Sequence, residues 1–202
     1  FFNCLSRLYR HERGDIVFAG RSLGTVPKHR IAELGIGRTF QNLALFRSLT
    51  VLENIMLGSH AVSRGGFVSG MFRLPGIARE EARIRDRARE LATLVDLDAV
   101  AGVRVADLPF GTQKRVELAR ALASDPKLLL LDEPAAGLNH EAVETLMALI
   151  RRLRDTLHLT VLLVEHHMSL VMRVSDQVVA LDFGRKIADG TPDVVRGNPE
   201  VI

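Results

Sequence analysis

Leu128-Leu129-Leu130-Leu131-Asp132-Glu133-Pro134 is the stretch on which the fold of this chain turns. Four consecutive leucines read as a strand buried on both faces, which a parallel sheet covered by helices requires. The strand ends in two adjacent carboxylates. Ligands of open α/β sheets lie at the carboxyl ends of the strands, so the pair stands where chemistry is expected. Neighbouring strand residues point to opposite sides, which lets the two acids take different roles. Asp132 is suited to holding Mg2+ through its water shell, and Glu133 to orienting or deprotonating an attacking water. An Asp-Glu-Pro end also reads as a helix cap or turn, and these residues alone do not separate the two readings.

On either side, helical and strand-like stretches alternate. Helices are predicted over 112–124 and 141–157, with apolar runs at 160–164 and 177–181. That alternation predicts a parallel α/β fold. Toward the N-terminus, 15–19 lies between Gly14 and Gly20 as a short strand entering a turn, and 36–41 reads as another. Residues 1–9 carry Phe2, Leu5 and Leu8 or Tyr9 on one helical face, without a capping residue ahead of them. This start predicts that the natural helix begins upstream. Residues 43–107 differ in character: a Gly-rich patch at 64–70 precedes an amphipathic helix over 79–97, with Ile84, Ala88, Leu91 and Leu94 or Val95 on one face.

Composition narrows the function classes. With 27 basic and 24 acidic side chains in 202 residues, the formal charge is only +3, too small and dispersed to mark a nucleic-acid or lipid-binding surface. A single cysteine, Cys4, excludes an internal disulfide and a multi-thiolate metal site, in keeping with a reducing compartment. No apolar run reaches the length of a membrane span, so membrane association is expected only through a partner.

A second motif precedes the acids. Leu108-Pro109-Phe110-Gly111-Thr112-Gln113-Lys114-Arg115 opens a helix with Val116, Ala119 and Leu122 or Ala123 on one face. A small-residue turn at a helix N-terminus gathers free N–H groups and the positive end of the dipole, which suits an anion, although an ordinary loop into a helix reads the same. In order and spacing, residues 108–122 followed by 128–139 resemble the signature and acid motifs of ATP-binding cassette (ABC) transporter ATPases. Other landmarks extend the resemblance over nearly the whole chain. Gln41 in Arg-Thr-Phe-Gln-Asn resembles the glutamine loop, Ala136, Gly137, Leu138 and Asn139 the loop that contacts the second subunit, and His166 the switch histidine.

The resemblance implies an α/β fold with a P-loop NTPase-like core, incomplete at its N-terminus, made of 1–42 and 108–202, with 43–107 as an inserted helical subdomain. It implies ATP and Mg2+ as cofactors. Glu133, His166 and Gln41 would be catalytic, Gln41 and Asp132 would serve the metal, and Leu108, Pro109, Phe110, Gly111, Thr112, Gln113 and Ala136 to Asn139 would contact nucleotide. Gly-Leu-Asn also reads as a helix cap, so Asn139 is expected to serve both ends. His167 is read as structural. The implied partners are integral-membrane permease subunits, a second cassette of the same or a different chain, and indirectly a substrate-binding protein. The implied location is peripheral, on the cytoplasmic face of the plasma membrane.

The signature, the Ala-Ala-Gly-Leu-Asn turn and the Ala-Asp-Gly-Thr-Pro and Asn-Pro-Glu-Val-Ile segments look like branched-chain amino acid importers; lipopolysaccharide-export ATPases share the core. Thr112 replaces the usual glutamine of the signature, and Pro109 offers neither hydroxyl nor N–H, so phosphate contacts are expected from Gly111 and nearby backbone groups. No Gly-x-x-x-x-Gly-Lys-Ser/Thr occurs in the sequence. The expectation is a chain whose first residues are missing; a natural non-catalytic cassette is the alternative. Nucleic-acid-linked ATPases with related motifs need a long coiled-coil or clamping insertion, and 42–107 has no sustained heptads.

Overall fold

The structure, a computed structural model, describes residues 1–39, 43–59 and 75–201, with backbone alone for 75–77. Its elements are α1 (Phe2–Leu5), β1 (Val17–Phe18), β2 (Arg21–Ser22), β3 (Ile36–Arg38), α2 (Val51–Gly58), α3 (Pro75–Leu94), α4 (Phe110–Leu122), β4 (Leu128–Asp132), α5 (His140–Leu157), β5 (Thr160–Val164), α6 (Met168–Val174), β6 (Val178–Asp182), β7 (Arg185–Gly190) and α7 (Pro192–Arg196), joined by short 3-10 turns.

The leucine run is the central strand. β4 pairs in parallel with β3 on one side and β5 on the other, giving a three-stranded sheet in the order β3-β4-β5. Strand alternation sorts its leucines between two cores. Leu129 and Leu131 face the larger one, with Val51, Ile55, Leu91, Val95, Val116, Leu122, Leu146 and Leu153. Leu130 faces the other, with Phe2, Leu5, Leu23, Val26, Ile31 and Ile36. Asp132 has the parity of Leu130 and so points toward α1. The larger core is continuous from α2 and α3 through α4 to the sheet, so residues of 43–107 share one apolar interior with the strands.

Several predicted boundaries are corrected, each for a local reason. The helix expected over 1–9 is only α1, because Arg7 turns left-handed at φ 57°. The strand expected at 15–19 shortens to β1, since Ala19 and Gly20 (φ 49° and 77°) form a hairpin turn into β2. The amphipathic helix starts earlier, at Pro75, and stops at Leu94, ahead of left-handed Asp96 at φ 58°. The helix expected over 112–124 begins at Phe110, with Pro109 as N-cap, and ends at Leu122. The run at 177–181 is β6, which lies outside the parallel sheet: only Phe183 and Gly184 separate it from β7, a link that permits antiparallel pairing alone. Of the strand expected over 36–41, β3 accounts for residues 36–38, and residues 40 and 41 lie outside the described chain.

Candidate functional site

The parallel register of β4 with β5 sets Asp132 opposite Val164, so the chain exits both strands side by side and Glu133 meets the residues after Val164. The Glu133 N–H donates to the Val164 carbonyl at 2.9 Å, extending the ladder by one bond. Glu133 itself is left-handed, φ 45°. That conformation costs a side-chain-bearing residue about 1–2 kcal/mol and persists only where neighbouring contacts hold it. His166 stands beside it, its Nδ1 3.8 Å from Glu133 Oε1, an ion-pair separation longer than a hydrogen bond. The His166 side chain is 63% exposed and that of Glu133 31%, so both open to solvent where a ligand would enter. His167 stacks at 4.6 Å between ring centroids on His166.

Between β5 and His166 lies Glu165, absent from the sequence-derived site. Its Oε1 accepts the Ala135 N–H at 2.9 Å and its Oε2 the His166 N–H at 3.3 Å. One side chain thereby joins the turn after β4 to the turn after β5.

Asp132, expected at the metal, has a protein partner that sequence reading did not supply. Its Oδ2 accepts from Arg38 at 3.1 Å, and the same guanidinium donates to Asn3 Oδ1 and Ser6 Oγ at 2.9 and 3.1 Å. Arg38 also lies 5.7 Å from the Phe2 ring centroid. The Arg38 side chain is only 11% exposed and that of Asp132 25%. Among the described residues, no cluster of three or more His, Cys, Asp or Glu could hold a metal by itself. The donor set still fits Mg2+ arriving with phosphates, since that ion keeps several waters and takes one or two carboxylates besides substrate oxygens.

The signature segment starts α4 without a side-chain cap; the Pro109 carbonyl accepts from Thr112 and Gln113 N–H at 2.9 and 3.0 Å. This leaves the Phe110 and Gly111 amides at the open helix end, the backbone donors to which the sequence reading assigned phosphate contacts. Leu108 is buried, whereas Pro109 and Phe110 are exposed. The Gln113 amide turns back, donating to the Leu108 carbonyl at 2.8 Å, and Thr112 Oγ1 lies 3.5 Å from an Arg115 nitrogen. Phe110 packs on the Gly137 turn, where an added Cβ would come within 3.1 Å of the ring, and Gly111 faces Leu138. Gly137 is left-handed at φ 79°, which glycine adopts freely. Lys114 is buried, its ammonium 5.6 Å from the Phe110 centroid. Asn139 caps α5, its Oδ1 accepting the Ala142 N–H at 2.9 Å, and Ala136 N–H donates to the Glu133 carbonyl at 3.1 Å.

The structure thus gathers Asp132, Glu133 and His166 where the adjacent strands β4 and β5 end, and Phe110 and Gly111 against Gly137 and Leu138. Gln41 lies outside the described residues. Arg38, Lys114 and Glu165 carried no local signal of their contacts, although Arg38 and Lys114 each stand inside a quoted motif and Glu165 directly precedes His166.

Residues 1–136 match the family model described as ABC transporter. The high-affinity branched-chain amino acid transport ATP-binding protein BraF of Pseudomonas aeruginosa is 41% identical over 201 residues, all of this chain and 79% of its own length. The corresponding LivG protein of Escherichia coli K12 is 39% identical over the same span. Among solved structures, cbiO1 from Clostridium perfringens superposes with a TM-score of 0.80 at 29% identity, covering 99% of this chain and 74% of that one. The cassette MJ1267 in its ADP conformation does so at 0.82 and 25%, covering 99% and 79%. With the acids, the histidine and the signature turn placed as described, these likenesses show that the chain belongs to the ABC transporter family.

Proposed function

We propose that this ABC-transporter ATPase powers the uptake of branched-chain amino acids, hydrolysing ATP against a membrane-embedded permease and a second cassette. The observation that carries the hydrolytic reading is the convergence of Asp132, Glu133 and His166 where β4 and β5 end. Identity to BraF and LivG over the whole chain supports the substrate class.

In this reading Glu133 takes a proton from the attacking water as its oxygen bonds to the γ-phosphorus and the bond to the ADP oxygen breaks. His166, with one nitrogen toward Glu133, donates its other N–H to the γ-phosphate oxygens. Asp132 orients water of the ion's shell, and Arg38 holds that carboxylate in place. Mg2+, when bound, neutralises phosphate charge. Gln41 serves as a further ligand or water-positioning group. The Phe110 and Gly111 amides face the nucleotide of the opposing cassette, and Asn139 lies in the turn that meets that cassette. Phe46, 56% exposed on the segment before α2, docks on the permease at the cytoplasmic face.

The test is ATP-driven leucine uptake in vesicles holding the full-length subunit with its permease and binding protein. Wild-type uptake is expected, and Glu133→Gln should bind ATP normally while hydrolysis falls about 10²-fold or more. Lipid-dependent ATPase without amino acid uptake would move the protein to the exporter class. Near-normal turnover in Glu133→Gln would take the base away from Glu133.

A further inference from the structure

Glu165 joins the two turns that carry the reacting side chains. The last residue of β5 and the two that follow it engage the turn after β4: the Val164 carbonyl accepts the Glu133 N–H at 2.9 Å, Glu165 Oε1 accepts the Ala135 N–H at 2.9 Å, and His166 Nδ1 lies 3.8 Å from Glu133 Oε1. Pro134, between the two anchored amides, has no N–H of its own. Glu133, at φ 45°, is therefore held through its own N–H, through its carbonyl, which accepts the Ala136 N–H at 3.1 Å, and through the Ala135 N–H, which donates to the Glu165 side chain. The other Glu165 oxygen takes the His166 N–H at 3.3 Å, so the same carboxylate also orders the backbone of the histidine. A carboxylate bridging two amides makes charge-assisted bonds, stronger than neutral ones.

We infer that Glu165 is a positioning residue for hydrolysis, which keeps Glu133 and His166 in register across the ends of β4 and β5. The inference rests on Glu133 acting as base. Such an outer contact leaves nucleotide affinity alone and acts on the chemical step, because the geometry it keeps is needed only in the transition state.

The experiment compares wild type, Glu165→Ala and Glu165→Gln in the full-length subunit, measuring kcat, ATP affinity, Tm and amide hydrogen exchange at Ala135. Glu165→Ala should lower kcat about tenfold, at the low end of what losing a supporting contact costs a site. ATP affinity should stay within about twofold, the signature of an interaction made in the transition state. Exchange at Ala135 should quicken about tenfold, the factor one ordinary hydrogen bond represents. Glu165→Gln keeps an acceptor oxygen on the same stem and should recover most of kcat and of the protection. Wild-type kcat in Glu165→Ala, or parallel losses of Tm, ATP affinity and kcat that glutamine does not reverse, would overturn the inference. Unchanged exchange at Ala135 would overturn it regardless of ATPase. If wild type itself hydrolyses no ATP, the functional reading falls, while the exchange data still decide whether Glu165 ties the turns.

Discussion

Asn54 is fully buried, yet every polar atom of its side chain is used. Its Oδ1 accepts the Phe46 N–H at 2.9 Å, and its Nδ2 donates to the Phe46 and Thr50 carbonyls at 3.0 and 2.9 Å, with Leu49 O at 3.4 Å. The Phe46 N–H requires an acceptor, which settles the orientation of the amide. One side chain thus closes the loop that carries exposed Phe46. Removing it leaves the Phe46 N–H without its acceptor and opens a small void, while the Phe46, Leu49 and Thr50 carbonyls keep their backbone donors from Leu49, Val105 and Asn54. Asn54→Ala is therefore expected to cost roughly 2–4 kcal/mol in chemical denaturation. Asn54→Asp, nearly identical in shape, should be no better, because it turns both donors into a charge facing carbonyls. A loss below about 0.5 kcal/mol in either variant would contradict this bracket.

Between elements, α2 and α4 approach closely at Gly58. A Cβ at Gly58 would fall 2.0 Å from the Arg120 carbonyl and 2.9 Å from Ala123 Cβ. The obstruction is helix backbone, which does not yield as a side chain does, so Gly58→Ala should destabilise by about 3 kcal/mol or more, read as a lower denaturation midpoint. The other end of α2 depends on charge. Thr50 and Glu53 form a capping box, Glu53 Oε2 accepting the Thr50 N–H at 2.8 Å and Thr50 Oγ1 the Glu53 N–H at 3.2 Å. Bonds from the Thr50 backbone and then its hydroxyl lower the Glu53 pKa from 4.5. A depressed carboxylate pKa means that the contribution is fully present above the unfolded value and is lost as pH falls through the lower folded one. The Tm difference between wild type and Glu53→Ala should thus be constant at neutral pH and shrink below about pH 4.5. A difference that widened in acid would invert the assignment.

At the scale of the molecule, the Phe46 segment connects to the signature through backbone. The Val51 and Leu52 N–H groups donate to the Val103 and Ala101 carbonyls at 3.0 Å, and the Val105 and Ala106 N–H groups donate back to the Leu49 and Arg47 carbonyls at 3.0 and 3.1 Å. Leu108 and the signature turn follow directly. Arg120, whose guanidinium pKa is pulled below its usual range by burial, donates from α4 to the Ala44 carbonyl, a further tie on this segment. Of the apolar residues on this segment, Leu43 is half-buried, Leu45 packs against the larger core, and Phe46 stands out into solvent. Phe46→Ser should lower Tm little, since over half its surface is already exposed, yet weaken pull-down of the permease and coupled transport several-fold more than basal ATPase. Undiminished permease binding together with a fallen Tm would make Phe46 part of the core and withdraw the docking assignment.

The family resemblance implied that Glu133 and His166 act together, while the sequence by itself determined the parallel α/β class, the faces of α3 and α4, and the buried strand with its two acids. Each of these rests on periodicity, strand parity or motif spacing, which act within a few residues of chain. Caps and turns were partly legible: Asn139 was read as both cap and site residue, and it is the N-cap of α5. Left-handed Arg7, Ala19 and Asp96, which moved three boundaries, were not, because side chains other than glycine carry little local mark of positive φ. Tertiary structure alone decided that Arg38 holds Asp132, that Glu165 reaches Ala135, that Asn54 closes the Phe46 loop, and that β6 turns back on β7 outside the parallel sheet. Arg38 and Asp132 stand 94 positions apart, Glu165 and Ala135 30. Such pairs form only once the register of β3, β4 and β5 is set, and register follows from burying Leu129, Leu130 and Leu131 against two cores at once, a property of the assembled sheet.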